Sequence, residues 1–296
     1  MTRLLAIPNV SEGRDQRAIA AIADAFDARL LDVHSDPDHH RSVFTLAGEP
    51  GELAGAVLRG ARETLVRVDL RTHDGLHPRA GALDVAPIAY LDEADRGAAC
   101  AEALLLADQL ADELALPVFL YGQLGGGRTR AELRRGGPAE LARRIEAEEL
   151  RPDFGPRRVH PTAGAALVAA RPPLIAFNVE LAPPATLQDA RAIAAQIREG
   201  GSEGLVSVRA LGLWLSHRGV AQVSVNVEHD RANSLADVVC AVRRHAPVAE
   251  AELVGLAPQR AFEGFPDDVP VRNRRTVEGA LRASEEVYKN ARRPRR

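Results

Sequence analysis

Five of the nine histidines fall between residues 34 and 77. They lie in two segments, His34-Ser35-Asp36-Pro37-Asp38-His39-His40-Arg41 and His73-Asp74-Gly75-Leu76-His77-Pro78-Arg79-Ala80-Gly81. Both read as loops that abut strands, where binding and catalytic residues concentrate. Histidine titrates near neutral pH and is well suited to accept and return a proton during turnover. The glycines and proline around His77 set a fixed turn that would hold an imidazole still. Arg79, two residues on, carries the planar fork that binds a carboxylate through two parallel hydrogen bonds. A metal reading competes, because His34, Asp36, Asp38, His39 and His40 offer nitrogen and oxygen ligands of the kind zinc or iron takes. Adjacent His39 and His40 rarely both reach one ion, however, and the spacing matches no metal motif.

Four other segments could carry chemistry. Gly200-Gly201-Ser202-Glu203-Gly204 has the form G-x-S-x-G, but a nucleophile elbow needs a strand before it and a helix after it. Here a helix precedes and a strand follows, so the segment reads as a turn. Gly125-Gly126-Gly127-Arg128 lacks the spacing of a dinucleotide loop and reads as a mobile loop that could act as a lid. The rigid, turn-rich stretch from Pro152 to Gly164 is either a linker or a ligand-binding loop. Ser11-Glu12-Gly13 reads as a helix start whose backbone N–H groups are free for an anion.

Composition removes several alternatives. The single lysine is Lys289, so there is no Walker A Gly-Lys pair and no lysine placed for Schiff-base chemistry. The chain has 296 residues, 46% hydrophobic and 27% charged, an ordinary globular balance with about two domains expected. No apolar run approaches the roughly 18 residues of a membrane span, and the N-terminal apolar stretch is too short for a signal peptide. Cys100 and Cys240 cannot form a disulfide framework, which makes a reducing cytoplasm the expected location. Net charge is −3, yet Val271 to Arg296 holds nine Arg or Lys against three Glu. The acidic remainder, poor in aromatics, argues against a nucleic-acid partner. The basic end reads as a solvated or oligomer-packing helix.

Periodicity supplies the elements that would hold these residues. Leu4 to Ile7, Leu30 to His34, Ser42 to Gly48 and Leu83 to Leu91 read as strands, with helices at Asp15 to Phe26 and Glu52 to Leu65. The order is β-α-β-β-α-β. It recurs with strands at Leu174 to Leu181, Val206 to Leu215, Val220 to Val227 and Ala251 to Leu256, and helices at Leu187 to Ile197 and Leu235 to His245. Between the halves sit a helix at Ala94 to Leu114, a strand at Val118 to Tyr121 and a helical stretch near Glu140 to Glu149. The expected class is α+β, with two ferredoxin-like subdomains packed around a substrate cleft. Expected boundaries are residues 1–170, 171–258 and a basic, partly helical tail at 259–296.

Taken in order, the segments resemble the formiminotransferase family. The matching stretches include Pro8-Asn9-Val10-Ser11-Glu12-Gly13, Arg41-Ser42-Val43, His77-Pro78-Arg79-Ala80-Gly81-Ala82-Leu83-Asp84-Val85, Pro152-Asp153-Phe154-Gly155-Pro156, Leu174-Ile175-Ala176-Phe177-Asn178 and Glu252-Leu253-Val254-Gly255-Leu256. The likeness runs from about residue 4 to 258. It implies two subdomains facing each other across a folate cleft. It also implies that tetrahydrofolate and N-formimino-L-glutamate react to give 5-formimino-tetrahydrofolate and glutamate. By this resemblance the catalytic histidine is His77. The folate loop is Gly155, Pro156, Arg157, Arg158, Val159, His160, Pro161, Thr162, Ala163 and Gly164. Arg41 and Arg79 become candidates for the glutamate carboxylates, and Arg157 or Arg158 for the folate tail.

Tetrahydrofolate would be the co-substrate, with no metal, no nucleic acid and no membrane. A homodimer is expected, with a separate cyclodeaminase acting on the product. Two departures stand out. Ala163 occupies a position where bifunctional members often carry Trp, and the residues after Pro258 are too few for a cyclodeaminase domain. Two other readings stay open: a folate-binding module that does not need His77, and a metal-dependent amide or amidine hydrolase built on His34 to His40.

Overall fold

A computed structural model describes residues 3–75, 78–216 and 218–291. His77, the expected acid/base, and Leu76 therefore lie outside the described residues. The backbone divides into two compact units, Met1–Arg171 and Pro172–Arg296. Both mix helices with a sheet, as the α+β class requires.

The first unit opens with β1 (Leu4–Ala6) and β2 (Asn9–Val10), one strand path interrupted at Ile7-Pro8. Proline has no N–H to give to a ladder, but its carbonyl accepts from Phe44 N at 3.0 Å. Helix α1 (Gln16–Ala25) starts at Asp15, whose carboxylate accepts from the N–H groups of Arg17 and Ala18, the usual work of an N-cap. It leads to β3 (Arg29–Asp36), β4 (Arg41–Gly48), α2 (Leu53–Arg67) and β5 (Leu83–Tyr90). Then come α3 (Arg96–Leu114), β6 (Val118–Leu120), α4 (Arg130–Arg134), α5 (Gly137–Glu146) and β7 (Ala166–Arg171).

Strands β3, β4, β1/β2 and β5 lie side by side, all antiparallel. The chain's first strand is thus central. Beyond β5 the sheet continues with β7 and then β6, both parallel. Periodicity does not reveal β7. Its Ala-Leu-Val-Ala-Ala run is buried on both faces and so has no polar alternation. One sheet face buries Phe44, Leu46 and Ile88 against Ile22, Phe26, Val57 and Leu106 of the long helices. The other face, over β5 to β6, buries Val85, Phe119 and Leu167 under Leu133 of α4 and Leu141 and Ile145 of α5.

The second unit runs β8 (Ile175–Leu181), α6 (Leu187–Ile197), β9 (Val208–Leu215), β10 (Val220–Val227), α7 (Leu235–Arg243), β11 (Val248–Val254), β12 (Val271–Arg272) and α8 (Val277–Ala291). Its sheet order is β12-β11-β8-β10-β9, again with the first strand of the β-α-β-β-α-β set inside. Capping boxes at Thr186/Asp189 and Ser234/Asp237 start its two crossover helices. Phe177, Val179, Val223 and Leu253 face Ile193, Ile197 and Val239. Part of the segment expected as a basic tail packs here: Ala261, Phe262, Val269 and Val277 are buried in this core. Among the described residues no helix is long and apolar enough to cross a membrane.

Candidate active site

The turn from β3 to β4 is built by Asp36. Its Oδ1 accepts from Asp38 N at 2.8 Å and His39 N at 2.9 Å, and its Oδ2 lies 2.6 Å from His39 Nδ1. Burial works to raise its pKa, but the His39 and Asp38 bonds outweigh it and hold the carboxyl at about 2. His40 follows in the left-handed region, φ 50°. Its Nδ1 accepts from Gly13 N at 3.0 Å, with Glu12 Oε1 3.4 Å away. The neighbours therefore serve different partners. Among the described residues no three His, Cys, Asp or Glu side chains are grouped to hold an ion.

The same bonds correct the reading of Ser11-Glu12-Gly13 as an open N–H site. Ser11 N donates to Ala82 O, Gly13 N to His40, and the N–H groups of Arg14 and Asp15 to Glu12 Oε1. The helix cap is Asp15 instead.

The His40 ring stacks on His73, with centroids 4.2 Å apart and planes 21° from parallel. His73 Nδ1 accepts from Gly75 N at 3.1 Å, and its Nε2 lies 3.2 Å from His40 O. That pattern requires a neutral ring with its proton on Nε2. Burial pushes both imidazoles below their ordinary pKa. Arg14 and Arg79 add to the fall at His40 against Glu12 and Asp74, and Arg79 and His40 add to it at His73.

Arg79 closes the loop behind this pair. Its Nη1 donates to Gly75 O at 2.8 Å and its Nη2 to His73 O at 3.0 Å. The guanidinium is thus engaged with the backbone carbonyls of His73 and Gly75. The next residues join the expected folate loop. Gly81 bridges Gly164, Ala165 N donates to Ala80 O at 3.0 Å, and Ala82 N donates to Ala163 O at 2.9 Å.

That loop is held at both ends. Gly155 has φ 80°, and a Cβ there would meet Leu116 O at 2.4 Å. His160 and Gly164 exchange two backbone bonds of 2.8 and 2.9 Å, and His160 Nδ1 accepts from Ala163 N at 3.1 Å. Ala163 is 1% exposed and belongs to the helix-covered core, so it offers no stacking surface. Arg157, Arg158 and Pro161 are exposed. Just before the loop, Asp153 accepts from Leu120 N at 2.7 Å and pairs with Arg128 at 2.6 Å. The glycine run ahead of Arg128 is a closed turn, pinned by Gly122 N to Arg128 O and Gly127 N to Gly122 O, both 2.8 Å. This replaces the expected mobile lid.

Beside Arg41 lies a group that the sequence reading missed. Asp84, 1% exposed, accepts from Ala80 N at 2.7 Å and pairs with Arg134 through both its oxygens. A lone aspartate in the apolar run Leu83 to Tyr90 was the available signal, since a buried carboxylate demands a cation. Arg41 feels burial first, then Arg134, against Asp84 and Asp36; its pKa falls to about 10. In the second unit, Asn178 and the 2% exposed Glu180 project from β8 on one face, where Glu180 pairs with Arg218 at 3.0 Å and Arg272 at 2.5 Å. Burial raises the Glu180 pKa against these two cations.

Residues 3–171 match the family model described as formiminotransferase domain, N-terminal subdomain, and residues 176–264 the one described as formiminotransferase domain. The chain is 34% identical over 268 residues to the glutamate formimidoyltransferase of Streptococcus pyogenes serotype M1, covering 86% of this chain and 89% of that one. It is 33% identical over 277 residues to the glutamate formimidoyltransferase of Thermoplasma acidophilum, covering 88% and 90%. It is also 37% identical over 277 residues to the formimidoyltransferase-cyclodeaminase of Rattus norvegicus, covering 86% of this chain and 50% of that one. The chain thus spans about half the length of the rat relative.

Proposed function

Because the chain belongs to the formiminotransferase domain family, we propose that it moves the formimino group of N-formimino-L-glutamate onto tetrahydrofolate, a step of histidine breakdown. The observation that carries the reading is the match through both units to a relative named glutamate formimidoyltransferase, over 89% of that relative's length.

The transfer joins the folate N5 to the amidine carbon, passes through a tetrahedral intermediate, and breaks the bond from that carbon to the glutamate nitrogen. N5 loses a proton and the departing nitrogen gains one. A single imidazole serves both transfers, and His77 is that group, with an effect of roughly 100- to 10,000-fold on rate. The residues Gly155 to Gly164 hold the folate, with exposed Arg157 and Arg158 available to its tail. Arg41 meets glutamate carboxylates. Arg79 clamps the loop ahead of His77 through Gly75 O and His73 O. His40 and His73 stay neutral and fix that loop. Residues 1–170 and 171–258 form the two halves of the transferase, and the protein works as a cytoplasmic homodimer whose product passes to a cyclodeaminase.

The test is an absorbance assay with tetrahydrofolate and N-formimino-L-glutamate, followed by acid conversion to 5,10-methenyl-tetrahydrofolate. Signal that requires both substrates is expected. Tight folate binding without transfer would favour the non-catalytic module instead.

A further inference from the structure

We propose that Arg128, Arg135 and Arg144 form a site for a phosphoryl group, separate from the residues assigned to the transfer. The three arginines line a cavity of about 260 Å³ together with Glu132, Leu133 and Leu150. Arg128 closes the glycine turn, Arg135 follows the last residue of α4, and Arg144 lies in the last turn of α5. Gly136 and Gly137 between the helices have φ 75° and 72°, and the reversal they make brings α5 back to α4. Arg144 Nη1 then donates at 2.9 Å to Glu132 O, a carbonyl that so short a helix leaves over. Leu150 N donates to Arg144 O at 3.1 Å, which sets Leu150 beside that arginine. Leu133 and Leu150 give the cavity an apolar side, continuous with the core under α4 and α5.

Each guanidinium keeps N–H groups to give. Arg144 is 9% exposed, and the contact with Glu132 O is its guanidinium's one hydrogen bond among the described residues. The exposed Arg135 makes no side-chain hydrogen bond or ion pair among them. Arg128 is partly committed, since its Nη2 pairs with Asp153 and its Nε donates to Gly125 O at 3.0 Å, but Nη1 is left over. The neighbouring carboxylates are engaged elsewhere. Glu132 Oε2 takes Thr129 N at 2.7 Å and Thr129 Oγ1 at 2.8 Å; these bonds hold its pKa below the ordinary value, and Arg135 and Arg144 add to the fall. Glu140 and Glu149, which also feel Arg144, are paired with Arg143. Set against Glu132 and Asp153, the three arginines leave a surplus of one positive charge. A carboxylate is planar, and a single guanidinium fork fills it. A phosphoryl group offers three acceptor oxygens and about two negative charges, which uses N–H groups arriving from three elements. Free phosphate and a small phosphate monoester share that chemistry, and the apolar side suits the body of a monoester.

The test titrates the full chain by calorimetry, at fixed ionic strength, with inorganic phosphate, glycerol 3-phosphate and glutarate. Arg135→Gln and Arg144→Gln are compared with wild type, and Arg135→Lys is the charge-keeping control. The wild type is expected to bind at least one of the two phosphates saturably, one per chain, and about tenfold or more tighter than glutarate. Both Gln variants should weaken that binding by about tenfold or more, and Arg135→Lys should recover part of it. Tighter binding of glycerol 3-phosphate names a monoester, and equal or tighter binding of inorganic phosphate names the free ion. Melting temperatures without ligand check the folding of each variant. Arg135 is exposed, so its variant decides the matter if Arg144→Gln fails to fold. Unchanged phosphate affinity in folded Arg135→Gln would overturn the site. So would glutarate bound as tightly as phosphate, or a wild-type chain that binds neither phosphate at millimolar concentration. None of these outcomes depends on the transfer assay, so the site and the transferase reading stand or fall separately.

Discussion

Gly81 and Gly164 face each other as an antiparallel bridge, and neither has room for a side chain. A Cβ on Gly81 would lie 2.0 Å from Ala165 O, and one on Gly164 2.3 Å from Ala80 O. The bridge fastens the segment after His77 to the end of the proposed folate loop. Gly81→Ala should destabilise the first unit by about 1–3 kcal/mol through overpacking. Gly164→Ala adds the strain of φ 70° and should cost at least as much. Urea unfolding midpoints measure both, and wild-type midpoints would show that the segments are not packed this way.

Asp84 and Arg134 make the most buried ion pair of the first unit's site. Removing the cation takes from the buried carboxylate the guanidinium that holds both its oxygens, so Arg134→Met should destabilise by about 3–5 kcal/mol. The double variant Asp84→Asn/Arg134→Met should recover part of that loss, since the carboxylate is then no longer a buried charge, although Arg41 loses the Asp84 charge beside it. The pair of unfolding curves checks this; equal losses in both would place the cost in packing rather than charge.

The sequence carried the fold's plan more clearly than the site's bonding. Helices α6 and α7 were legible because Thr186 and Ser234 announce their starts and apolar residues keep a helical period. Strand β7 was not, because burial on both faces erases alternation. Of the proposed site, His77, Arg41 and the Gly155 to Gly164 loop stand out in the sequence as residue types at telling positions. The turning of Arg79 onto carbonyls, the His40–His73 stack and the closed Gly122 to Arg128 turn do not. Each depends on backbone conformation, such as the left-handed His40, which residue type alone does not determine.

The stack makes stability depend on pH in a definite direction. Burial holds both His40 and His73 below their ordinary value of 6.5, with Arg14 and Arg79 adding to it at His40 against Glu12 and Asp74, and Arg79 and His40 adding to it at His73. As pH falls through about 6.5 the unfolded chain binds protons that the folded chain refuses, so stability held above that pH is lost. The wild-type melting temperature should therefore drop between about pH 7.5 and 5.5. His73→Gln, which keeps an acceptor and a donor, should reduce the drop without abolishing it, because burial also lowers His160. Parallel melting curves for the two proteins would remove His73 as a source.

Turnover separates the acid/base from the residue that steadies its loop. His77→Asn should lower kcat by roughly 100- to 10,000-fold while both KM values and the melting temperature stay near wild type. Arg79→Met removes the bonds to Gly75 O and His73 O and should also lower kcat, by less, because the loop loosens without losing its imidazole. If Arg79 only steadies the loop, the KM for N-formimino-L-glutamate should stay within about twofold, since no charge-assisted ligand bond is lost. A KM raised tenfold with kcat unchanged would return Arg79 to carboxylate binding, and near-normal turnover in His77→Asn would remove His77 from the proton transfers.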